Sequence, residues 1–206
     1  MKRFLILIAL VAASAASYAQ LSWNAKIGMN LSSFTGDVEQ TNPKFGFHFG
    51  VGMEYQFTQL FSLQPSLMYT TKGVKAENAD ARVSLKYLEL PVMAAFRLPV
   101  AENRNIVLKA GPYLAYALSG KLILDVYDGI NLSANAFKHY NFEANGETWD
   151  YAGANRFELG LGLGIDYEFS LFFVGLNGGF GLTKFYGDGN EAVRNMNFSI
   201  NVGFKF

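Results

Sequence analysis

From residue 20 onward apolar and polar positions alternate with period two, the repeat of a β-strand. Segment 44–57 shows it plainly, with Phe45, Phe47, Phe49, Val51, Met53, Tyr55 and Phe57 on one face and Lys44, Gly46, His48, Gly50, Gly52, Glu54 and Gln56 on the other. Segment 156–169 repeats it, with Phe157 through Phe169 at odd positions against Arg156, Glu158, three glycines, Asp166 and Glu168. Six further segments have the same habit, with apolar faces running Trp23–Leu31, Phe61–Tyr69, Leu88–Leu98, Ile106–Leu118, Phe172–Leu182 and Met196–Phe206. Most are near the roughly 9–11 residues a tilted strand needs to cross a bilayer.

The two faces differ in a way that selects an architecture. Of 49 positions on the apolar faces none is charged, and only Gly178 is not apolar. The 48 opposite positions hold 12 glycines and 11 charges: Lys26, Lys44, Glu54, Glu89, Arg97, Lys109, Arg156, Glu158, Asp166, Glu168 and Lys205. A soluble sandwich would show water a face rich in charge and poor in glycine, because glycine weakens an exposed strand. A membrane barrel instead turns the apolar face to lipid and packs the other face into a narrow lumen. Closure also pairs every backbone group, which hydrocarbon demands. The expected fold is all-β: an eight-stranded antiparallel up-and-down transmembrane β-barrel.

Aromatic residues near the segment ends fit the interfacial girdles of such barrels: Trp23, Tyr55, Phe57, Phe61, Tyr69, Phe96, Tyr116, Phe157, Tyr167, Phe169 and Phe204. Pro65, Pro91 and Pro112 lie inside strands and cannot donate to a ladder, so bulges or local irregularity are expected there. Residues 1–19 carry Lys2-Arg3, an apolar stretch from Phe4 to Ala13, and Ser17-Tyr18-Ala19 before Gln20. That is the pattern of a cleaved export signal, leaving 20–206 as the barrel domain. The short connections are 57–60, 99–105 and 169–171; the long ones are 34–43, 72–86, 119–155 and 183–194. Stretch 119–155 is the longest and rich in aromatics. Its first half, Leu122 to Tyr127, also alternates, which leaves open a strand extended past the membrane as a hairpin.

Composition narrows the chemistry. Half of the chain is apolar and 17% is charged, with 17 basic and 17 acidic residues in balance. Removing the first 19 residues takes away Lys2 and Arg3 and leaves 15 − 17 = −2, which excludes a basic nucleic-acid binder. The absence of cysteine excludes thiol catalysis, Cys-ligated zinc and disulfides. His48 reads as a lumen residue and His139 as a loop residue, neither with a local catalytic neighbour. Gly160-x-Gly-x-Gly lacks the spacing and following helix of a nucleotide loop. No catalytic, cofactor or metal site is expected, and the chain is not read as an enzyme.

Charges in a closed lumen must be paired. Glu89 and Arg97 share a face but lie about 26 Å apart along one strand, so each needs a partner from another strand. A lumen charge network of Lys26, Glu54, Glu89, Arg97, Lys109, Arg156, Glu158, Asp166 and Lys205 is expected, acting as a plug.

Tyr87-Leu-Glu-Leu-Pro91, Gly111-Pro-Tyr-Leu-Ala-Tyr116, Gly160-Leu-Gly-Leu-Gly164 and the ending Val202-Gly-Phe-Lys-Phe206 resemble the small outer-membrane β-barrel proteins of Bacteroidetes-type bacteria, the porin family or PorT-like group. More distantly they resemble OmpA-type eight-stranded barrels. The resemblance implies an outer-membrane location and makes Phe206 a signal for barrel-assembly machinery. It also leaves room for a PorT-like accessory role in secretion or motility. The expected partners are membrane lipids, that machinery, and an extracellular protein or a glycan reached through 119–155; the barrel is expected to be a monomer. Two functional classes follow: a structural or surface-interaction barrel, and a small passive pore.

Overall fold

A computed structural model describes residues 20–36, 41–76, 81–126, 130–144, 147–151, 153–185 and 193–206. The export signal expected at 1–19 therefore lies outside the described residues. Among the described residues eleven strands form: β1 Gln20–Gly36, β2 Thr41–Gln56, β3 Phe61–Ala76, β4 Ala81–Ala101, β5 Arg104–Val126, β6 Ile130–Asn135, β7 Tyr140–Ala144, β8 Glu147–Tyr151, β9 Phe157–Phe169, β10 Phe172–Gly181 and β11 Val193–Lys205.

Eight of them close a barrel. Each of β1 to β5 pairs antiparallel with the next, β5 pairs with β9, β9 with β10, β10 with β11, and β11 returns to β1. Reciprocal bonds between Trp23 and Phe206, N to O at 2.9 and 2.8 Å, extend that last seam to the final residue. The alternation expected from the sequence is realised: none of the 49 apolar-face positions is buried, while the opposite face supplies the interior. Tight turns at Glu102-Asn103 and Ser170-Leu171 join strands at the end that holds the last residue, with Asn103 and Ser170 in the left-handed region at φ 54° and 55°.

The other end departs from expectation. The connections expected at 34–43 and 72–86 are largely strand, because β1 runs to Gly36, β2 starts at Thr41, β3 runs to Ala76 and β4 starts at Ala81, whereas of 183–194 only Val193 and Arg194 are strand. β5 has 23 residues, so at about 3.3 Å per residue it spans roughly 75 Å, well beyond an apolar band about 25 Å tall even when tilted. Its outer part pairs with β4 on one side and β6 on the other, which is the hairpin that the alternation over 122–127 left open. β7 and β8 form a second, separate hairpin.

The prolines are accommodated by local irregularity, without bulges. Opposite Pro65, Pro91 and Pro112 the ladder lapses for two residue pairs and resumes in the same register. Register shifts lie elsewhere, between Pro43 and His48, Lys86 and Tyr87, and Pro99 and Ala101. A missing N–H costs one ladder bond but leaves an extended φ, so the strand passes straight through.

Candidate functional site: the lumen and its outer cover

The interior is filled in layers, and ion pairs between strands hold two of them. At the turn end, Arg97 on β4 donates to Glu54 on β2 at 2.6 Å and to Glu168 on β9 at 3.0 Å. Lys205 on β11 bridges the same two carboxylates, reaching Glu54 at 2.9 Å. Ser62 and Gln64 add hydrogen bonds to Glu54 at 2.6 and 3.1 Å. Four strands are thus tied across the lumen by two cations and two anions.

Nearer the loop end, Lys72 on β3 sits between Glu89 at 2.6 Å and Glu158 at 3.1 Å, with only 2% of its side chain exposed. Its ammonium also lies 5.1 Å from the ring centres of Tyr87 and Tyr113. Glu158 accepts further bonds from Tyr113 Oη at 2.6 Å and Asn195 Nδ2 at 2.5 Å, and Thr70 donates to Glu89 at 3.2 Å. Lys72 is thus shared by two carboxylates, and neutral donors from Tyr113, Asn195 and Thr70 satisfy more of their oxygens, which limits the cost of burying the extra negative charge.

Between the two layers lies a cavity of about 110 Å³ lined by Lys26, His48, Met68, Met93, Lys109, Asn177 and Asn201 among others. Lys109 pairs with Asp166 at 2.5 Å, and Lys26 donates to Ser66 Oγ at 3.0 Å. The volume is large enough for several water molecules, and Lys26, His48, Asn177 and Asn201 offer them polar partners among apolar walls. The glycines of β9 to β11 make room for this filling. A Cβ at Gly160 would meet the Tyr113 ring at 2.3 Å, and one at Gly203 the Phe173 ring at 2.1 Å.

Above the Lys72 layer the lumen is covered by apolar groups. Inward-facing Leu85, Tyr87, Ala115 and Ala117 pack with Ala136, Ala154 and Phe185 from the connections, joined by Phe34, Val83 and Phe137. Phe34 and Phe185 stack at 5.0 Å between ring centres. Backbone bonds from Ala136 to Gly120 at 3.1 Å, Ala154 to Ala136 at 2.9 Å and Asn155 to Phe185 at 2.8 Å hold this cover in place.

Of the expected lumen network, Glu54, Arg97 and Lys205 meet in one cluster, Glu89 and Glu158 in the second, and Lys109 with Asp166 in a third. The distance argument for Glu89 and Arg97 holds, since each is paired by other strands. Two expectations are corrected. Lys26 binds a hydroxyl, and among the described residues no carboxylate pairs with it. Arg156 stands outside the clusters: it donates to the Ala117 carbonyl at 3.1 Å and lies 4.4 Å from the Phe137 ring centre, because it precedes the first residue of β9. Lys72, the centre of the second cluster, was missed. The fading alternation puts it in the connection 72–86, although it continues the inward row Ser62, Gln64, Ser66, Met68, Thr70 at even spacing.

The aromatic positions fall at two heights. Trp23, Tyr55, Phe57, Phe61, Phe96, Tyr167, Phe169 and Phe204 cluster near the turn end, where Phe61 meets Phe96 at 4.8 Å and Tyr55 meets Phe57 at 4.8 Å. Tyr69, Tyr116 and Phe157 lie toward the loop end, where Tyr69 also packs on Phe49 at 5.3 Å. Phe206 is 65% exposed at the seam.

The outer membrane protein beta-barrel domain family matches residues 13–187. Among solved structures, the attachment invasion locus protein Ail of Yersinia pestis is 14% identical over 90% of this chain and 98% of that one, with a TM-score of 0.49. Neisserial surface protein A is 14% identical over 91% and 99%, with a TM-score of 0.48. Outer membrane protein OprG of Pseudomonas aeruginosa is 12% identical over 91% and 97%, with a TM-score of 0.41. No curated protein matches the sequence.

Proposed function

The chain belongs to the outer membrane protein β-barrel domain family, and from that premise we propose that it serves in the outer membrane as a non-enzymatic structural or surface-interaction protein. The observation that carries this reading is the closed lumen. Two ion-paired layers and an apolar cover stand in series along its axis. Contacts are made instead by the segment 119–155, where β6, β7 and β8 build hairpins beyond the barrel. An extracellular protein or a glycan is the partner such a surface takes. Phe206, exposed at the closing seam, is the residue we assign to recognition by assembly machinery.

A small passive pore is the second reading, and the central cavity favours it. The resemblance to the PorT-like group adds an accessory role in secretion or motility. Planar-bilayer recording separates plug from pore. The plug reading expects no steady conductance from the full chain, and ohmic unitary steps would overturn it. Replacing 127–152 by a short Gly-Ser turn should leave the heat-modifiable barrel intact and abolish adhesion of expressing cells to matrix proteins or glycans. Adhesion unchanged by that replacement would remove the hairpins from the reading.

A further inference from the structure

The outer wall of β3, β4 and β5 carries four exposed cations just above the lipid-facing band. Lys75 on β3 is the direct cross-strand partner of Arg82 on β4. Along β4, Arg82, Ser84 and Lys86 share the outward face, and the next outward position is Leu88, flanked by Tyr69 and Tyr116. Lys121 on β5 faces Ser84. Diagonal neighbours in a sheet lie about 7–8 Å apart, so Lys121 is within one such step of both Arg82 and Lys86. Lys75, Arg82, Lys86 and Lys121 are all exposed.

Lys121 reaches this face through a bulge. Odd residues of β5 point inward below residue 118, as buried Lys109 and Tyr113 show. The register shifts between the pairs Tyr87–Ala117 and Lys86–Ser119, so the extra residue Leu118 reverses the alternation. Gly120 then turns inward against Phe137 and Lys121 turns outward. Ser84 and Ser119 stand between the cations as hydroxyl donors. Because Lys86 is one outward step above Leu88, the patch sits at headgroup height and not in the aqueous loops.

We propose that this face of β3, β4 and β5 binds the phosphate of an outer-leaflet lipid headgroup, held by Lys75, Arg82, Lys86 and Lys121. Cations at a membrane surface attract anionic headgroups additively. The continuity of the patch with the apolar band commits it to a lipid whose chains lie along Leu88, Tyr69 and Tyr116.

The test uses the full-length barrel in nonionic detergent with lipid A, a diphosphorylated glycolipid, as probe, and mass spectrometry of lipid retained per barrel. Wild type should retain lipid A and lose it after phosphatase treatment of the lipid. K86Q/K121Q should bind about thirtyfold more weakly, K86R/K121R should bind as wild type, and R104Q at the opposite rim should change nothing. Folding of each variant is checked by heat-modifiable migration. Equal retention by K86Q/K121Q, equal binding of the dephosphorylated lipid, or displacement of lipid A by inorganic phosphate at matched phosphate concentration would overturn the proposal. If K86Q/K121Q does not fold, wild type decides: retention must fall as salt rises, and a flat response counts against a phosphate contact.

Discussion

Replacing Lys72 by Met tests whether the lumen is held by paired charge. Lys72 is the one cation between Glu89 and Glu158, whose side chains are 14% and 5% exposed. Methionine matches the lysine stem in volume, so packing is retained and charge alone is lost. Glu158 would keep Tyr113 and Asn195 as neutral donors, and Glu89 would keep Thr70. Two buried carboxylates would then face one another without a cation. Removing one partner of a buried pair costs about 3–5 kcal/mol, and this lysine serves two, so a loss of about 4 kcal/mol is expected. In K72M/E89Q/E158Q the same Tyr113, Asn195 and Thr70 donors find amide oxygens, and no charge is left uncompensated. Exchanging a whole buried ionic cluster for neutral groups of similar shape is often neutral or stabilising, so the triple variant should return to within about 1 kcal/mol of wild type. Urea unfolding in lipid vesicles, followed by the heat-modifiable band and by tryptophan fluorescence, measures both. K72M within about 0.5 kcal/mol of wild type, or a triple variant as unstable as K72M, would refute a lumen dependent on charge pairing.

Other outcomes follow from the same geometry. Ile165→Arg, mid-strand on the lipid face beside Leu176, should cost about 2–4 kcal/mol in vesicle unfolding, whereas Gly178→Leu should be tolerated because a Cβ there meets only ordinary contacts at 3.5 Å. Gly160→Val should push the Tyr113 ring off Glu158 and lower the urea midpoint, since the added Cβ would meet that ring at 2.3 Å. Deleting Phe206 removes the last bond pair with Trp23 and should lower the yield of heat-modifiable barrel in cell envelopes while total synthesis, read by immunoblot, is unchanged. Phe137→Ala together with Phe185→Ala thins the apolar cover yet should produce no bilayer conductance, because the Lys72 and Arg97 layers remain beneath it.

The sequence was most legible where lipid constrains it. Between the girdles every outward position must be apolar, so a strict period of two marks strand extent and facing together, and segments 44–57 and 156–169 could be oriented residue by residue. The same rule explains where reading stopped. Above the membrane the outward side is free to be polar, and at Thr71, Lys75, Arg82 and Lys86 it is, so the alternation fades although the hydrogen-bonded ladder between β3 and β4 continues to Lys75 and Arg82. Lys72 was lost for that reason, although the row of even inward positions pointed to it. Glu89 and Arg97 could be declared in need of partners by distance along one strand. Their actual partners depend on the register of β2, β3 and β9, which a single chain without pairing information does not specify.

The largest departures come from single-residue slips in the ladder. Prolines 65, 91 and 112 called for bulges or local irregularity because they lack a donor, and the outcome is the milder one, since an unmade bond on a strand of fixed pleat perturbs neither register nor facing. An inserted residue such as Leu118 perturbs both, because the side-chain period is two and one slip exchanges faces for everything beyond it. Below the insertion odd residues of β5 build the lumen; above it they face out, which puts Lys121 beside Lys86 and lets Gly120 accept the ring of Phe137. Without that slip Lys121 would enter the lumen in the row of Lys109 and Tyr113, where Lys72 already occupies the site between Glu89 and Glu158. One residue of stagger therefore accounts for both the closed apolar cover and the basic outer face, and deleting Leu118 should disturb the two together.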